Sequence, residues 1–142
     1  MAATTKTCGG CLCGAVRYAV DGPMRPVVYC HCEQCRKTSG HFVAASACEP
    51  QDLDIVTSSG LRWYDSSAHA QRGFCSVCGA NLFWRPSGGG HVSIMAGTID
   101  TPTGVDAIAH IFVANASDYY ELGDGLPQYA DGGPDGLGEV DP

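Results

Sequence analysis

Cys30-His31-Cys32-Glu33-Gln34-Cys35-Arg36-Lys37 is the stretch from which the rest of the chain is read. The short apolar run Pro26-Val27-Val28-Tyr29 ahead of it predicts a strand that delivers Cys30. Side chains at i and i+2 of an extended segment share a face, so Cys30 and Cys32 point together and His31 points away. Glu33 to Ser39 has a helix-compatible composition and stops at Gly40, which predicts a turn or two of helix with Cys35 in its first turn. Amide groups at such an N-terminus stabilise thiolate charge. Three thiols in this spacing, followed by two cations, can hold a divalent metal and leave one coordination position unclaimed.

Two further cysteine pairs lie outward on either side. Cys8-Gly9-Gly10-Cys11-Leu12-Cys13-Gly14 leads into the alternating run Ala15 to Val20, read as a half-buried strand. If the segment is extended, the same parity lets Cys11 and Cys13 grip one ion with Leu12 turned away, and Cys8 is a lower-ranked substitute. Cys75-Ser76-Val77-Cys78-Gly79 is a CxxC knuckle whose trailing glycine can take the left-handed conformation of a tight bend. A CxC and a CxxC about sixty residues apart point to a closed zinc site on Cys11, Cys13, Cys75 and Cys78. The chain then carries two metals with different jobs, one structural and one working.

The triplet has plainer readings beside this one: a second structural zinc completed by Cys48 or a histidine, or three reduced thiols with no metal. Arg36 and Lys37 are either solvated helix residues or the cations that hold the carboxylates of an acidic thiol. His31, His41 and His110 read as packing or surface residues, and Trp63, Trp84 and the tyrosines as core.

Asp21-Gly22-Pro23 is a turn. Short strands are expected over Phe42–Cys48, Asp52–Thr57, Leu61–Tyr64, Gln71–Phe74, Asn81–Arg85, His91–Ile99 and His110–Val113, with a flexible loop at Ser87-Gly88-Gly89-Gly90. Asn115 to Glu121 is a loop or brief helix, and Asp124 to Tyr129 an ordered extended segment. The 19 glycines and 8 prolines fit many turns between short segments, and the expected class is mainly β, with small antiparallel sheets around a four-cysteine zinc and at most short helices. At 142 residues the chain reads as one domain over residues 1–130, followed by an acidic, Gly/Pro-rich flexible tail over 131–142.

The net charge is −7 and the sequence pI about 4.9, and the chain stays acidic without Asp131, Asp135, Glu139 and Asp141. It has no basic excess with which to displace counterions, so nucleic-acid binding is not expected. No segment approaches the ~20 apolar residues of a membrane helix. Met1 to Thr7 offers neither a secretory core nor a transit peptide. These features place the chain in the reducing cytoplasm, where nine cysteines, an odd number, read as metal ligands rather than disulfides.

Four motifs together resemble the family of glutathione-dependent formaldehyde-activating enzymes and the related centromere protein V. They are Gly9 to Tyr18 (GGCLCGAVRY), Cys30 to Gly40 (CHCEQCRKTSG), Phe74 to Leu82 (FCSVCGANL) and His110 to Tyr129 (HIFVANASDYYELGDGLPQY). The resemblance implies a mainly β fold with a structural zinc on Cys11, Cys13, Cys75 and Cys78. It implies a second zinc on Cys30, Cys32 and Cys35, where the glutathione thiol meets formaldehyde to form S-hydroxymethylglutathione, a carbon–sulfur lyase reaction. The partners are then a small thiol and an aldehyde. Tyr119 stands where the family usually has tryptophan, and the loop between the second and third motifs is short. The rival reading is a non-catalytic zinc module that binds another protein or senses oxidants.

Overall fold

A computed structural model describes residues 6–133. Strands β1 (Lys6–Gly10), β2 (Arg17–Asp21) and β5 (Leu53–Thr57) form a three-stranded antiparallel sheet in the order β1-β2-β5. The other sheet has seven strands: β3 (Val27–Cys30), β4 (Val43–Cys48), β6 (Leu61–Asp65), β7 (Ala70–Cys75), β8 (Asn81–Pro86), β9 (Val92–Met95) and β10 (Ala107–Ile111). Their order is β10-β3-β4-β9-β8-β7-β6. All neighbours are antiparallel except β10 and β3, which run parallel. Helix α1 (Glu33–Ser39) fills the connection from β3 to β4. The mainly β class expected from the glycines, prolines and short alternating runs is the class observed.

Through its middle the large sheet is buried on both faces, because successive strand residues point to opposite sides. Phe83 and Ile94 enter one apolar cluster with Val16, Tyr18 and Leu82. Their chain neighbours Trp84 and Met95 enter the other, with Val28, Val43 and Ile111. Each cluster reaches one group of cysteines: Cys75 belongs to the first, and Cys30, Cys32 and Cys35 to the second.

Several boundaries differ from the sequence reading, each for a physical reason. Strand β1 was hidden, since its Thr7-Cys8-Gly9-Gly10 run has little side chain to pattern. Its pairing with β2 is made by backbone, from Lys6 opposite Asp21 to Gly10 opposite Arg17. Glycine is needed at position 9, where a Cβ would run into the Tyr18 hydroxyl and the Thr98 carbonyl.

The run His91–Ile99 is not one strand. It ends at Met95 and turns through a 3-10 segment, Ala96–Thr98, where the Thr98 hydroxyl donates to the Met95 carbonyl and meets the Tyr18 hydroxyl at 2.8 Å. Strand β10 begins earlier than His110 and stops at Ile111, because Phe112 adopts a left-handed conformation with φ of 54°.

A 3-10 turn, Val113–Asn115, follows, and the segment beyond it returns along β10 as an extended strap. His110 N donates to Pro127 O and Tyr129 N to His110 O, both at 2.9 Å. The Asp131 carbonyl accepts from Phe112 N. Of the expected tail, residues 134–142 lie outside the described residues.

Candidate functional site

Cys11 and Cys13 sit on the connection from β1 to β2, Cys75 ends β7, and Cys78 lies in the turn before β8. The extended geometry expected for Cys11–Cys13 is not what brings them together. Residues 11–16 bend, closed by Cys11 N donating to Val16 O at 3.0 Å, with Gly14 at a φ of 85°. The bend still turns Leu12 outward, 90% exposed. In the knuckle, Gly79 at a φ of 81° lets its N–H reach Cys75 O at 2.8 Å.

The four sulfurs converge within 4.8 Å of one another. Cys11 and Cys13 sulfurs are 3.7 Å apart, and those of Cys13 and Cys75 3.8 Å. Zinc–sulfur bonds of ~2.3 Å in a tetrahedron set a sulfur–sulfur edge of about 3.8 Å, so the donor set fits a closed zinc site. The N–H groups of Ala80 and then Cys13 hold the Cys78 thiol down at about 6, favouring the thiolate a metal needs. Cys8 is not part of this group.

The triplet is built by the strand-to-helix step. Cys30 ends β3, Cys32 is the N-cap of α1, and Cys35 lies in its first turn. All three are buried, with sulfurs within 4.8 Å of one another. Cys32 Sγ accepts from Cys35 N at 3.2 Å, as a serine or aspartate cap would. Hydrogen bonds from Cys30 and then Cys35 draw the Cys32 thiol down, while those with Cys32 and then Cys35 push Cys30 up. Among the described residues no fourth cysteine, histidine or carboxylate joins them. Cys48 packs in the other apolar cluster, where burial raises its thiol to about 11.

The cations flanking the motif face elsewhere. Arg36 Nε donates to the Asn115 carbonyl at 3.2 Å, tying α1 to the turn after β10. Lys37 pairs with Glu33 at 3.1 Å on the exposed side of the helix. The cation at the sulfurs is Arg72 of β7, 3% exposed, with Nη2 3.8 Å from Cys35 Sγ. Nothing in its sequence neighbourhood singled it out; only strand pairing brings β7 under the triplet.

Sequence reasoning also undervalued His31. It points away from the sulfurs as parity requires, and there Nδ1 meets the Tyr120 hydroxyl at 2.5 Å and Nε2 meets His110 Nδ1 at 2.8 Å. His110 Nε2 in turn lies 2.8 Å from Asp124 Oδ2. A carboxylate only accepts, so His110 donates from Nε2; with neutral rings His31 then donates to His110 and Tyr120 donates to His31. Burial, and then the neighbouring His110 ring, hold His31 down at about 4, so it stays neutral. The line Tyr120–His31–His110–Asp124 pins the residue between Cys30 and Cys32 to the C-terminal strap. Tyr119 is largely exposed, its hydroxyl against His41 Nδ1.

Comparison with known proteins places this geometry among relatives. The model of the family described as glutathione-dependent formaldehyde-activating enzyme matches residues 6–115, which include both cysteine groups. The chain is 31% identical over 81 residues to an uncharacterized lyase of Schizosaccharomyces pombe, a match covering 57% of this chain and 58% of the yeast protein. A crystal structure of a Rhodobacter sphaeroides protein superposes with a TM-score of 0.56 at 21% identity, over 70% of this chain and 98% of the other. At that identity the likeness is one of fold.

Proposed function

The chain belongs to the glutathione-dependent formaldehyde-activating enzyme family, and from that premise we propose that it is a zinc-dependent carbon–sulfur lyase acting on a thiol–carbonyl adduct. The reaction is the joining of glutathione and formaldehyde to S-hydroxymethylglutathione, or a closely related one, run in either direction. The observation that carries this reading is the buried triplet Cys30, Cys32 and Cys35: three sulfurs converge without a fourth protein ligand among the described residues. A saturated structural site, as at Cys11, Cys13, Cys75 and Cys78, needs four.

Zinc, when held by the triplet, supplies a Lewis acid with an open position that favours the thiolate form of an incoming thiol. The chain's own groups do the rest. The α1 amide of Cys35 fixes Cys32, and the histidine line fixes the backbone between Cys30 and Cys32. Addition forms one carbon–sulfur bond, moves the carbonyl π pair to oxygen, and passes the thiol proton to that oxygen. Breakdown reverses each transfer. Arg36, bonded to Asn115 O, and Lys37, paired with Glu33, are the candidates for the carboxylates of an acidic thiol.

The acidic balance favours small-molecule partners over nucleic acid. Among the described residues no helix is long and apolar enough to cross a membrane. Nine thiols suit a reducing, cytoplasmic setting. The test is exchange spectroscopy with carbon-13 formaldehyde and glutathione on protein loaded with two equivalents of zinc. Interconversion of free and adduct signals faster than in protein-free buffer is expected; equal rates would remove the lyase reading, and calorimetry showing no glutathione binding would remove that thiol.

A further inference from the structure

Two buried nitrogen donors on the paired strands β7 and β8 have no acceptor among the described residues. Arg72 places Nη2 at 3.8 Å from Cys35 Sγ, and its Nε has no partner. In a guanidinium the Nε hydrogen and one Nη2 hydrogen run parallel along a single edge of the rigid plane. The unsatisfied Nε donor therefore belongs to the same rigid group whose Nη2 touches the sulfur. No carboxylate among the described residues pairs with this buried cation.

Trp84 supplies the second donor. It is the register partner of Arg72 across β7 and β8, and directly opposed residues on paired strands project from the same face. Trp84 packs in one cluster with Cys30, Cys32 and Cys35, is 9% exposed, and its Nε1 also has no partner. A buried donor left without an acceptor is destabilising, more so when charged. Methionine and phenylalanine would fill the same space without that cost. Two such donors, opposed on neighbouring strands, one touching Cys35 and the other packed in the same cluster as the three sulfurs, mark the place of an oxygen.

We propose that Arg72 and Trp84 form an oxygen-binding subsite beside the sulfur triplet, taking the carbonyl oxygen of a small aldehyde and the hydroxyl oxygen of its thiol adduct. This deepens, and rests on, the lyase reading above. When sulfur attacks carbon, the π pair collects on oxygen before the thiol proton arrives there, and fixed donors aimed at that oxygen stabilise the charge as it grows. Ala70 and Met95 in the same cluster give the subsite apolar walls suited to a one- or two-carbon aldehyde.

The test uses nitrogen-15-labelled full-length protein loaded with zinc and titrated with sodium formate, a one-carbon oxygen acceptor inert to thiols. The chain has two tryptophans, so two indole signals are seen, assigned by Trp84→Phe. The Trp84 indole and the Arg72 Nε–H signals shift saturably while the Trp63 indole stays in place. Arg72→Lys and Trp84→Phe each weaken formate roughly tenfold or more, and Trp84→Phe, which removes a donor without a partner, keeps the melting temperature. Should Arg72→Lys fail to fold, Trp84→Phe decides alone. A linear shift common to both indoles, or equal formate affinity in parent and variants, overturns the subsite. Adduct exchange measured on the same samples separates the two ideas: saturable formate binding without exchange fails the lyase reading only, whereas exchange that persists unaltered in both variants fails the subsite only.

Discussion

Cys32 is at once a candidate metal ligand and the cap of α1, and one substitution separates the two. Serine is among the best N-caps, so Cys32→Ser retains a side-chain acceptor for Cys35 N and should leave stability within about 1 kcal/mol of the parent. It nevertheless removes one of three sulfurs. Loss of an outer-shell partner alone costs roughly 10–100-fold in metal affinity or activity, so zinc at the triplet and adduct exchange should fall by at least that much. Elemental analysis beside a urea titration checks both halves. Cys78→Ser should do the opposite and unfold the protein if, as proposed, a structural zinc on its four-cysteine group is the chief bond there. Spacing made the convergence of these thiols legible: thiols a few residues apart announce a candidate chelate wherever the chain folds. Arg72 was illegible for the converse reason, since its neighbour Cys35 is 37 residues away and no local pattern records which strand lies beneath which helix.

At the level of elements, α1 was readable because its limits are local chemistry: a capping side chain at Cys32 and a left-handed Gly40, with a φ of 86°, whose N–H returns to Arg36 O. The parallel pairing of β10 with β3 was not readable, being a long-range choice among similar apolar runs. What locks that pairing is polar. His31 follows β3, His110 lies in β10, and Asp124 and Tyr120 come from the strap, so one hydrogen-bonded line ties three segments. His110→Ala leaves the buried His31 ring with one nitrogen unsatisfied and loosens Asp124. At about 1–3 kcal/mol for each buried group left alone, a loss of roughly 2–3 kcal/mol is expected from urea unfolding of the zinc-loaded protein. A smaller element carries a sharper steric test. Gly60 lies between β5 and β6, where a Cβ would come within 2.8 Å of both Cys75 Sγ and Ala15 Cβ. Gly60→Ala should therefore shift the absorption bands of cobalt placed in the four-cysteine group and leave cobalt at the triplet unchanged.

Across the whole molecule the two cysteine groups differ in what they tie together. Cys30, Cys32 and Cys35 lie within one strand-to-helix step, so a metal there closes almost no loop of the unfolded chain. Cys13 and Cys75 are 62 residues apart, and they join the small sheet, through the β1–β2 bend, to the large sheet, through the turn after β7. The sheets also share one apolar cluster, with Val16, Tyr18 and Val20 against Leu82, Phe83 and Ile94, and polar links join its rim. These links include Gly60 N to Ala15 O, Asp100 N to Cys8 O, and the half-exposed Arg17–Asp100 ion pair. Closing a long loop removes more unfolded-state freedom than closing a short one, and structural zinc binds with roughly 10–16 kcal/mol in small peptides against about 5–15 kcal/mol for a whole domain. Chelator titration should therefore proceed in two steps. Zinc leaves the triplet first, with the melting transition and amide protection nearly intact. Loss of the second zinc then collapses protection in β1, β2 and β5 together with β6, β7 and β8. Metal release followed beside hydrogen exchange distinguishes this from its alternative: if both ions depart in one step that coincides with global unfolding, the two sites do not divide the work of holding the fold and serving a ligand.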